Sequence, residues 1–123
     1  AGGKPAKVWE SKEMRNHCNA CMLIGGHLYG NDNGTLKCVE LKTGKEKWSK
    51  GGMGGSQPGV SATADKVIGL TGNGELFVCK ASPAGYSEIA RGKVLSGQCW
   101  IAPVLANGRV FCRSHEGDLV CVK

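Results

Sequence analysis

Short apolar runs alternate with glycine-rich turns along most of this chain. The turns include the clusters NDNG, KTGK, TGNG and SHEG, and glycine accounts for 20 of the 123 residues. Short runs between such turns are typical of β-strands. No stretch repeats its apolar positions every three to four residues, so we expect little or no helix. The pattern therefore predicts an all-β fold.

Three segments share one motif, a turn glycine followed two residues later by leucine. They are Gly34-Thr35-Leu36, Gly74-Glu75-Leu76 and Gly117-Asp118-Leu119, and their glycines lie 40 and 43 positions apart. Two apolar runs precede each glycine. A further run follows the first unit at Glu46-Lys47-Trp48 and the second between Tyr86 and Lys93. A repeat of this length with about four short strands per unit is typical of β-propeller blades.

The repeats fall near 20–50, 57–94 and 100–123, within a single domain of residues 1–123. The third unit ends after its third strand, whereas residues 6–11, which include Trp9, have the pattern of a fourth strand. We therefore expect three four-stranded antiparallel blades, with the last blade completed by strand 6–11.

The first unit is similar to a known repeat. The stretch LYGNDNGTLKCVELKTGKEKW, from Leu28 to Trp48, resembles the pyrroloquinoline-quinone-like (PQQ-like) repeat, in which G-x-L-x-A-x-D-x-x-T-G-x-x-x-W recurs. Residues 102–123 also resemble this family, but the middle unit lacks the T-G-x-x-x-W portion. Glu40 stands where the family usually has Asp. The other pattern positions are occupied by Gly34, Leu36, Cys38, Thr43, Gly44 and Trp48.

The resemblance implies a β-propeller in which Trp48 packs between adjacent blades. Propellers typically contain about 4–8 blades, so three blades alone would leave bare faces and an unpaired strand edge. We expect closure by a second copy into a six-bladed homodimer, or insertion into the rest of a larger propeller. A nine-bladed trimer is the less favoured form of closure, because it exceeds the usual blade number. The residues expected to have structural roles are Trp9, Trp48, Gly34, Gly74 and Gly117.

Catalytic groups are not evident in the sequence. PQQ-like enzymes typically carry a calcium site, a catalytic Asp and often adjacent cysteines, but this chain has no Cys-Cys pair and its aspartates fall in turns. We therefore expect no enzyme activity and no cofactor. The predicted function is a non-catalytic PQQ-like scaffold that binds a protein or polymer partner. The alternative is the terminal part of a quinoprotein-type oxidoreductase whose catalytic residues lie on blades not present here.

The usual binding surface of a propeller is the face that carries the connections between blades and the turns between second and third strands. Polar and aromatic residues of this face are candidates for partner contacts. They are Arg15, His17, Asn31, Asp32, Gln57, Asn73, Gln98, Trp100, His115 and Glu116.

The cysteines leave several possibilities open. Cys18 and Cys21 form a C-x-x-C, and with His17 and His27 they have the ligand types of a zinc site. The strand pattern argues against this site, because a turn separates Cys21 from His27, and we expect no metal. A disulfide among Cys18, Cys21 and Cys99 is the other alternative. The favoured interpretation is that the cysteines on strands are small core hydrophobes.

Net charge is +6, from sixteen Lys and Arg against ten Asp and Glu. The positive charges are scattered, which favours a solvated basic surface over a nucleic-acid interface. No segment approaches the ~20 apolar residues of a membrane span. The resemblance suggests a periplasmic or secreted bacterial protein, although the odd count of seven cysteines leaves the cytoplasm open.

Overall fold

The computed structural model describes residues 2–55 and 58–123. These residues form three antiparallel sheets and contain no helix. None of them lies in a helix long and apolar enough to cross a membrane. The all-β prediction is confirmed, and we refer to the sheets as the first, second and third blades.

The first blade has four strands in sequential order. They are β1 (Met22–Ile24), β2 (His27–Asp32), β3 (Thr35–Glu40) and β4 (Glu46–Lys50). Cys38 of β3 faces Trp48 of β4, but the next residue of β3, Val39, faces Glu46. The register between the two strands therefore shifts after Cys38. One residue of β4 is therefore left over as a bulge.

The second blade repeats this arrangement. Its strands are β5 (Gly59–Ala62), β6 (Lys66–Leu70), β7 (Glu75–Lys80) and β8 (Glu88–Lys93). The register shift recurs at the equivalent place, because Val78 faces Ala90 and Cys79 faces Glu88.

The third blade has three strands among the described residues. They are β9 (Val104–Ala106), β10 (Arg109–Arg113) and β11 (Leu119–Val122), with β10 in the middle. Residues 6–11 form no strand in the single chain, so the expected fourth strand of this blade is not formed here. Its formation with a second copy remains a prediction.

The blades pack side by side, with β5 in contact with both β1 and β9. An apolar cluster lies in each interface, because each twisted sheet buries a face against its neighbour. The cluster between the first and second blades contains Tyr29, Leu36, Cys38, Met53, Val60, Val67, Phe77 and Cys79. The cluster between the second and third blades contains Leu70, Leu95, Cys99 and Cys112.

Trp48 lies between the first and second blades. Its ring centroid is 6.1 Å from that of Tyr29 in its own blade and 6.0 Å from that of Tyr86 in the next. Its Nε1 donates a hydrogen bond to the Ser82 carbonyl at 2.7 Å. The indole therefore joins two blades through both ring packing and a polar contact.

Trp9 makes the same kind of polar contact with the first blade of its own chain. Its Nε1 donates to the Leu41 carbonyl at 2.8 Å, in the turn between the third and fourth strands. Ser82 lies in the corresponding turn of the second blade. Trp9 thus occupies, relative to the first blade, the place that Trp48 occupies relative to the second.

Candidate partner-binding face

The turns between second and third strands and the connections between blades lie together. We call this surface the loop face. It comprises residues 12–21, the turns 33–34, 71–74 and 114–118, and the described parts of connections 51–58 and 94–103. The turn glycines Gly34, Gly74 and Gly117 all have positive φ, of 84°, 88° and 101°, which glycine adopts at little cost.

A polar side chain three residues before each turn glycine closes the turn. Asn31 Oδ1 accepts from the Gly34 amide at 2.7 Å, and Thr71 Oγ1 accepts from the Glu75 amide at 2.9 Å. Ser114 Oγ accepts from the Asp118 amide at 3.1 Å. All three side chains are buried, so they stabilise the turn conformations of the loop face from inside the protein.

The connections between blades are fastened to these turns by backbone hydrogen bonds. Met53 donates its amide to Gly34 O and accepts from the Gly72 amide, which links the first blade to the second. Cys99 donates to Gly72 O at 2.9 Å, and Gln98 O accepts from the His115 amide at 2.7 Å. The loop face is therefore continuous across all three blades.

An ion-pair network ties the N-terminal segment to the first blade. Arg15 makes two contacts with the Asp32 carboxylate, at 2.6 and 3.2 Å. Lys37 Nζ lies 2.7 Å from Glu13, 2.9 Å from Asp32 and 3.0 Å from Glu46. The hydrogen bond from Arg15 is the main reason that the pKa of Asp32 falls to about 2. Burial alone would lower the pKa of Lys37, but the three carboxylates raise it above its ordinary value.

This network occupies a position that is apolar in the second blade. Lys37 and Phe77 are each the third residue after a turn glycine, and their strand partners are Gly30 and Gly69. The Phe77 ring packs against Gly69 in the interface with the first blade. Lys37 instead faces Glu13 of the N-terminal segment. The first blade is thus covered on this side by a polar segment of its own chain.

Residues 16–19 continue across the loop face to the third blade. Asn16 Oδ1 accepts from the Asn31 amide at 3.1 Å, and His17 Nε2 hydrogen-bonds Asn33 Oδ1. Asn19 Nδ2 donates to the Trp100 carbonyl at 2.9 Å. The segment therefore joins the turn of the first blade to the connection that leads into the third.

An aromatic pair lies where the N-terminal segment meets the connection into the third blade. The rings of Trp100 and His115 have centroids 4.2 Å apart and planes inclined by 34°. Trp100 is 40 % exposed. A cavity of about 50 Å³ lies beside the pair, with Ile101 and Arg113 in its wall. Drug-sized ligands occupy cavities of about 300 Å³ or more, so this feature is a contact surface rather than a ligand pocket.

The candidate residues divide into three groups in the structure. Asn31 and Asp32 are only 1 % and 5 % exposed, because they serve the turn and the ion-pair network. Gln57 lies outside the described residues. The remaining candidates are exposed on the loop face: Arg15, His17, Asn73, Gln98, Trp100, His115 and Glu116.

Several residues of the face were missed by the sequence analysis. Glu13, Asn16 and Asn19 hold the N-terminal segment in place, and Lys37 is the centre of the ion-pair network. The sequence did contain one signal of the network: the first unit has the charged Lys37 at the repeat position where the second unit has the apolar Phe77. Polar loop residues outside the repeat carry no comparable pattern.

The seven cysteines, all of which lie in the described part of the chain, form no disulfide. The possible bridge among Cys18, Cys21 and Cys99 is therefore absent. Burial raises the pKa of Cys79 and Cys112 to about 11, which keeps these thiols protonated. Cys121 is exposed, in contrast to the core position expected for it. No three His, Cys, Asp or Glu side chains gather as a metal site within residues 2–55 and 58–123.

Comparisons with known proteins show the fold. No protein-family model matches the chain, and no curated protein matches it. The chain is similar to the crystal structure of BamB from Moraxella catarrhalis, with a TM-score of 0.62 and 15 % identity over 83 % of this chain. It spans only 30 % of that protein. It also matches the computationally designed Ika4 protein, with a TM-score of 0.46 and 9 % identity over 96 % of this chain and 98 % of that one.

The sheets of this chain resemble the propeller blades of BamB. The chain is therefore an all-β protein with a β-propeller-like fold of three antiparallel sheets.

Proposed function

We propose that this chain is a non-catalytic scaffold of the PQQ-like repeat type, which holds a protein or polymer partner on its loop face. The observation that carries the proposal is the exposed Trp100–His115 pair. Tryptophan is enriched at protein interfaces, where a rigid aromatic ring supplies a large contact area at a low entropic cost. Arg15 and Glu116, which lie on the same face, would supply polar contacts at its rim.

The rigidity of the face supports this role. Three turns are closed by buried side chains, and two connections are bonded to those turns. A preformed surface loses little conformational entropy when it binds, so more of the contact energy contributes to affinity.

Closure by a second copy is part of the proposal. Trp9 and Met14 are five residues apart, as are Trp48 and Met53, and as are Ala90 and Leu95. The spacing of Trp9 and Met14 within residues 6–21 thus matches that of a fourth strand and its following connection. Met53 and Leu95 each donate an amide to the turn glycine of their own blade. In the proposed dimer the Met14 amide would donate in the same way to the carbonyl of Gly117, the turn glycine of the third blade, in a second copy.

The outer face of the third blade supports the same arrangement. Phe111 pairs with Val104 and with Cys121, so these side chains share one face of the sheet. Val104 is 58 % exposed, and Leu119 on the same face is 67 % exposed. A blade of another copy packed there would bury them, as the first two interfaces bury their apolar clusters. Two chains of three blades would give a ring of six, within the usual range for propellers.

The test compares partner retention by two variants. The immobilised chain is exposed to a lysate of the source organism, and retained partners are quantified by mass spectrometry. We expect Trp100→Ala to lower retention at least fivefold. The control is Ile89→Ala, which removes an apolar side chain of similar exposure from β8, since Ile89 is 49 % and Trp100 40 % exposed. Both variants should unfold at the wild-type urea midpoint. Equal retention by Trp100→Ala and the control would refute the assignment of this face.

A further inference from the structure

A cleft opens between the second and third blades, away from the loop face. Its volume is about 270 Å³. Its walls are mainly aliphatic side chains from both blades, namely Leu76, Val78, Ala90, Val94, Val110 and Val122. At the equivalent place between the first and second blades the indole of Trp48 fills the space, and the strand registers explain the difference.

Ala90 takes the position that Trp48 has in the first blade. Cys38 and Val78 are each the fourth residue after a turn glycine. In the pairing of the third and fourth strands, Cys38 faces Trp48 in the first blade and Val78 faces Ala90 in the second. In both blades the register shift comes directly after this pair. Cross-strand partners share a face of the sheet, so Trp48 and Ala90 point into equivalent interfaces.

The surroundings of the two positions also correspond. Leu36, Val67 and Cys79 belong to the cluster against which Trp48 packs. Their repeat equivalents are Leu76, Val110 and Val122, which line the cleft. The second interface therefore keeps the aliphatic walls of the tryptophan site but has only a methyl group in place of the indole. Missing side-chain volume in a packed interface leaves a cavity when the walls cannot collapse.

We propose that this cleft binds a planar aromatic molecule of about indole size. Trp48 shows which shape fits between two blades of this chain, because its ring fills the equivalent interface. An apolar cavity of about 150 Å³ is enough to bind benzene, so 270 Å³ has room for a two-ring molecule. A slot between two sheets packed about 10 Å apart favours a flat molecule over a thick one. This site is separate from the loop face and goes beyond the scaffold function.

The test uses the full chain, labelled with ¹⁵N, and indole as the probe. Amide chemical shifts are followed by NMR as indole is added. We expect saturable changes concentrated at Val78, Ala90, Val110 and Val122. Ala90→Trp should weaken binding at least tenfold, because the new side chain fills the cleft. Ile89→Trp is the matched control. It places the same ring on the neighbouring exposed position and should change the affinity less than twofold.

A second variant and a second ligand sharpen the test. Ala90→Leu fills the cleft partly and should weaken binding severalfold if Ala90→Trp fails to fold. The probe 1-adamantanol is apolar but thick, and it should cause no saturable change at the same amides. The proposal is overturned by absence of saturation up to the solubility limit of indole, by unchanged affinity in both Ala90 variants, or by equal binding of 1-adamantanol. Occupation of the cleft by a side chain of a second copy without indole would also overturn it, whereas backbone pairing of residues 6–11 with β11 would not.

Discussion

The ring of Trp9 lies directly against Gly44, in the turn between the third and fourth strands of the first blade. A Cβ added at Gly44 would come within 2.5 to 2.9 Å of three ring carbons of Trp9. Gly44 is buried and has a φ of 69°, so both the backbone shape and the contact require glycine. The contact anchors residues 6–11 to the outer end of the first blade.

Gly44→Ala should therefore destabilise the chain through two effects. One is the strain of a side chain at positive φ, and the other is displacement of the Trp9 ring. Gly26→Ala provides the control, because Gly26 has a φ of 77° and a Cβ added there would meet no atom within 4 Å. We expect Gly44→Ala to cost about 1–3 kcal/mol more than Gly26→Ala in urea unfolding, as for an overpacked contact. Equal costs would show that Trp9 does not pack there.

The Asp32 carboxylate should make stability depend on pH. Its folded-state pKa is about 2, below its ordinary value of 3.8. A lowered pKa stabilises the folded state above pH 4, and this contribution disappears as the pH falls from about 4 to about 2. Since Arg15 is largely exposed, the effect should be on the order of 1–2 kcal/mol, less than full burial would give.

Comparison with Asp32→Asn isolates this contribution. The wild-type chain and the variant are unfolded in urea at pH 6 and at pH 2.5. The difference in their free energy of unfolding should be larger at pH 6 and should shrink at pH 2.5, because Asp32 is then protonated in the unfolded chain, so protonation favours unfolding. A difference that stays constant with pH would contradict the ion-pair assignment.

We expect no quinone binding and no dehydrogenase activity. The aspartates are each engaged by a neighbour: Asp32 by Arg15 and Lys37, Asp65 by Lys66, and Asp118 by Ser114. A calcium ion would have to displace these contacts to gain aspartate ligands. Titration with PQQ and calcium, followed by absorbance and by dye reduction, tests this expectation. Stoichiometric binding or turnover would favour the oxidoreductase alternative.

The strands were predictable because their signals are local. The run Met22-Leu23-Ile24 coincides with β1, and the runs at Val60, Val67 and Val110 all lie within observed strands. Each combines β-branched or apolar residues with a flanking turn, and short antiparallel strands need little more than this to form.

The relationships between blades were harder to read, because they depend on register. The turn between the third and fourth strands is two residues longer in the middle unit than in the first. The turn-closing hydrogen bond runs from the Glu40 amide to Lys45 O in the first unit and from the Lys80 amide to Ser87 O in the middle one. The sequence therefore shows the loss of the T-G-x-x-x-W pattern but not that Ala90 takes the place of Trp48. The exposure of Trp100 likewise depends on contacts of residues 16–19, which lie outside the three repeats.

The last prediction concerns closure of the ring. The chain should form a homodimer of about twice 12.9 kDa by light scattering. In that dimer residues 6–11 pair with β11 of the second copy, while Trp9 keeps its contact with Leu41 of its own first blade. Deletion of residues 1–10 should abolish the dimer, because it removes the fourth strand of each third blade and exposes their edges.

A point variant keeps the N-terminal segment intact and tests the same interface from the other side. Val104→Glu places a charge on the outer face of the third blade, where burial against a second copy would be costly. It should weaken dimerisation at least tenfold. Ile89→Glu, at an exposed position of the middle blade, should leave the mass unchanged because the middle blade meets no second copy in a six-bladed ring. A soluble wild-type monomer that tolerates the deletion would contradict the ring. So would a dimer that survives Val104→Glu but not Ile89→Glu, since its interface would then involve the middle blade.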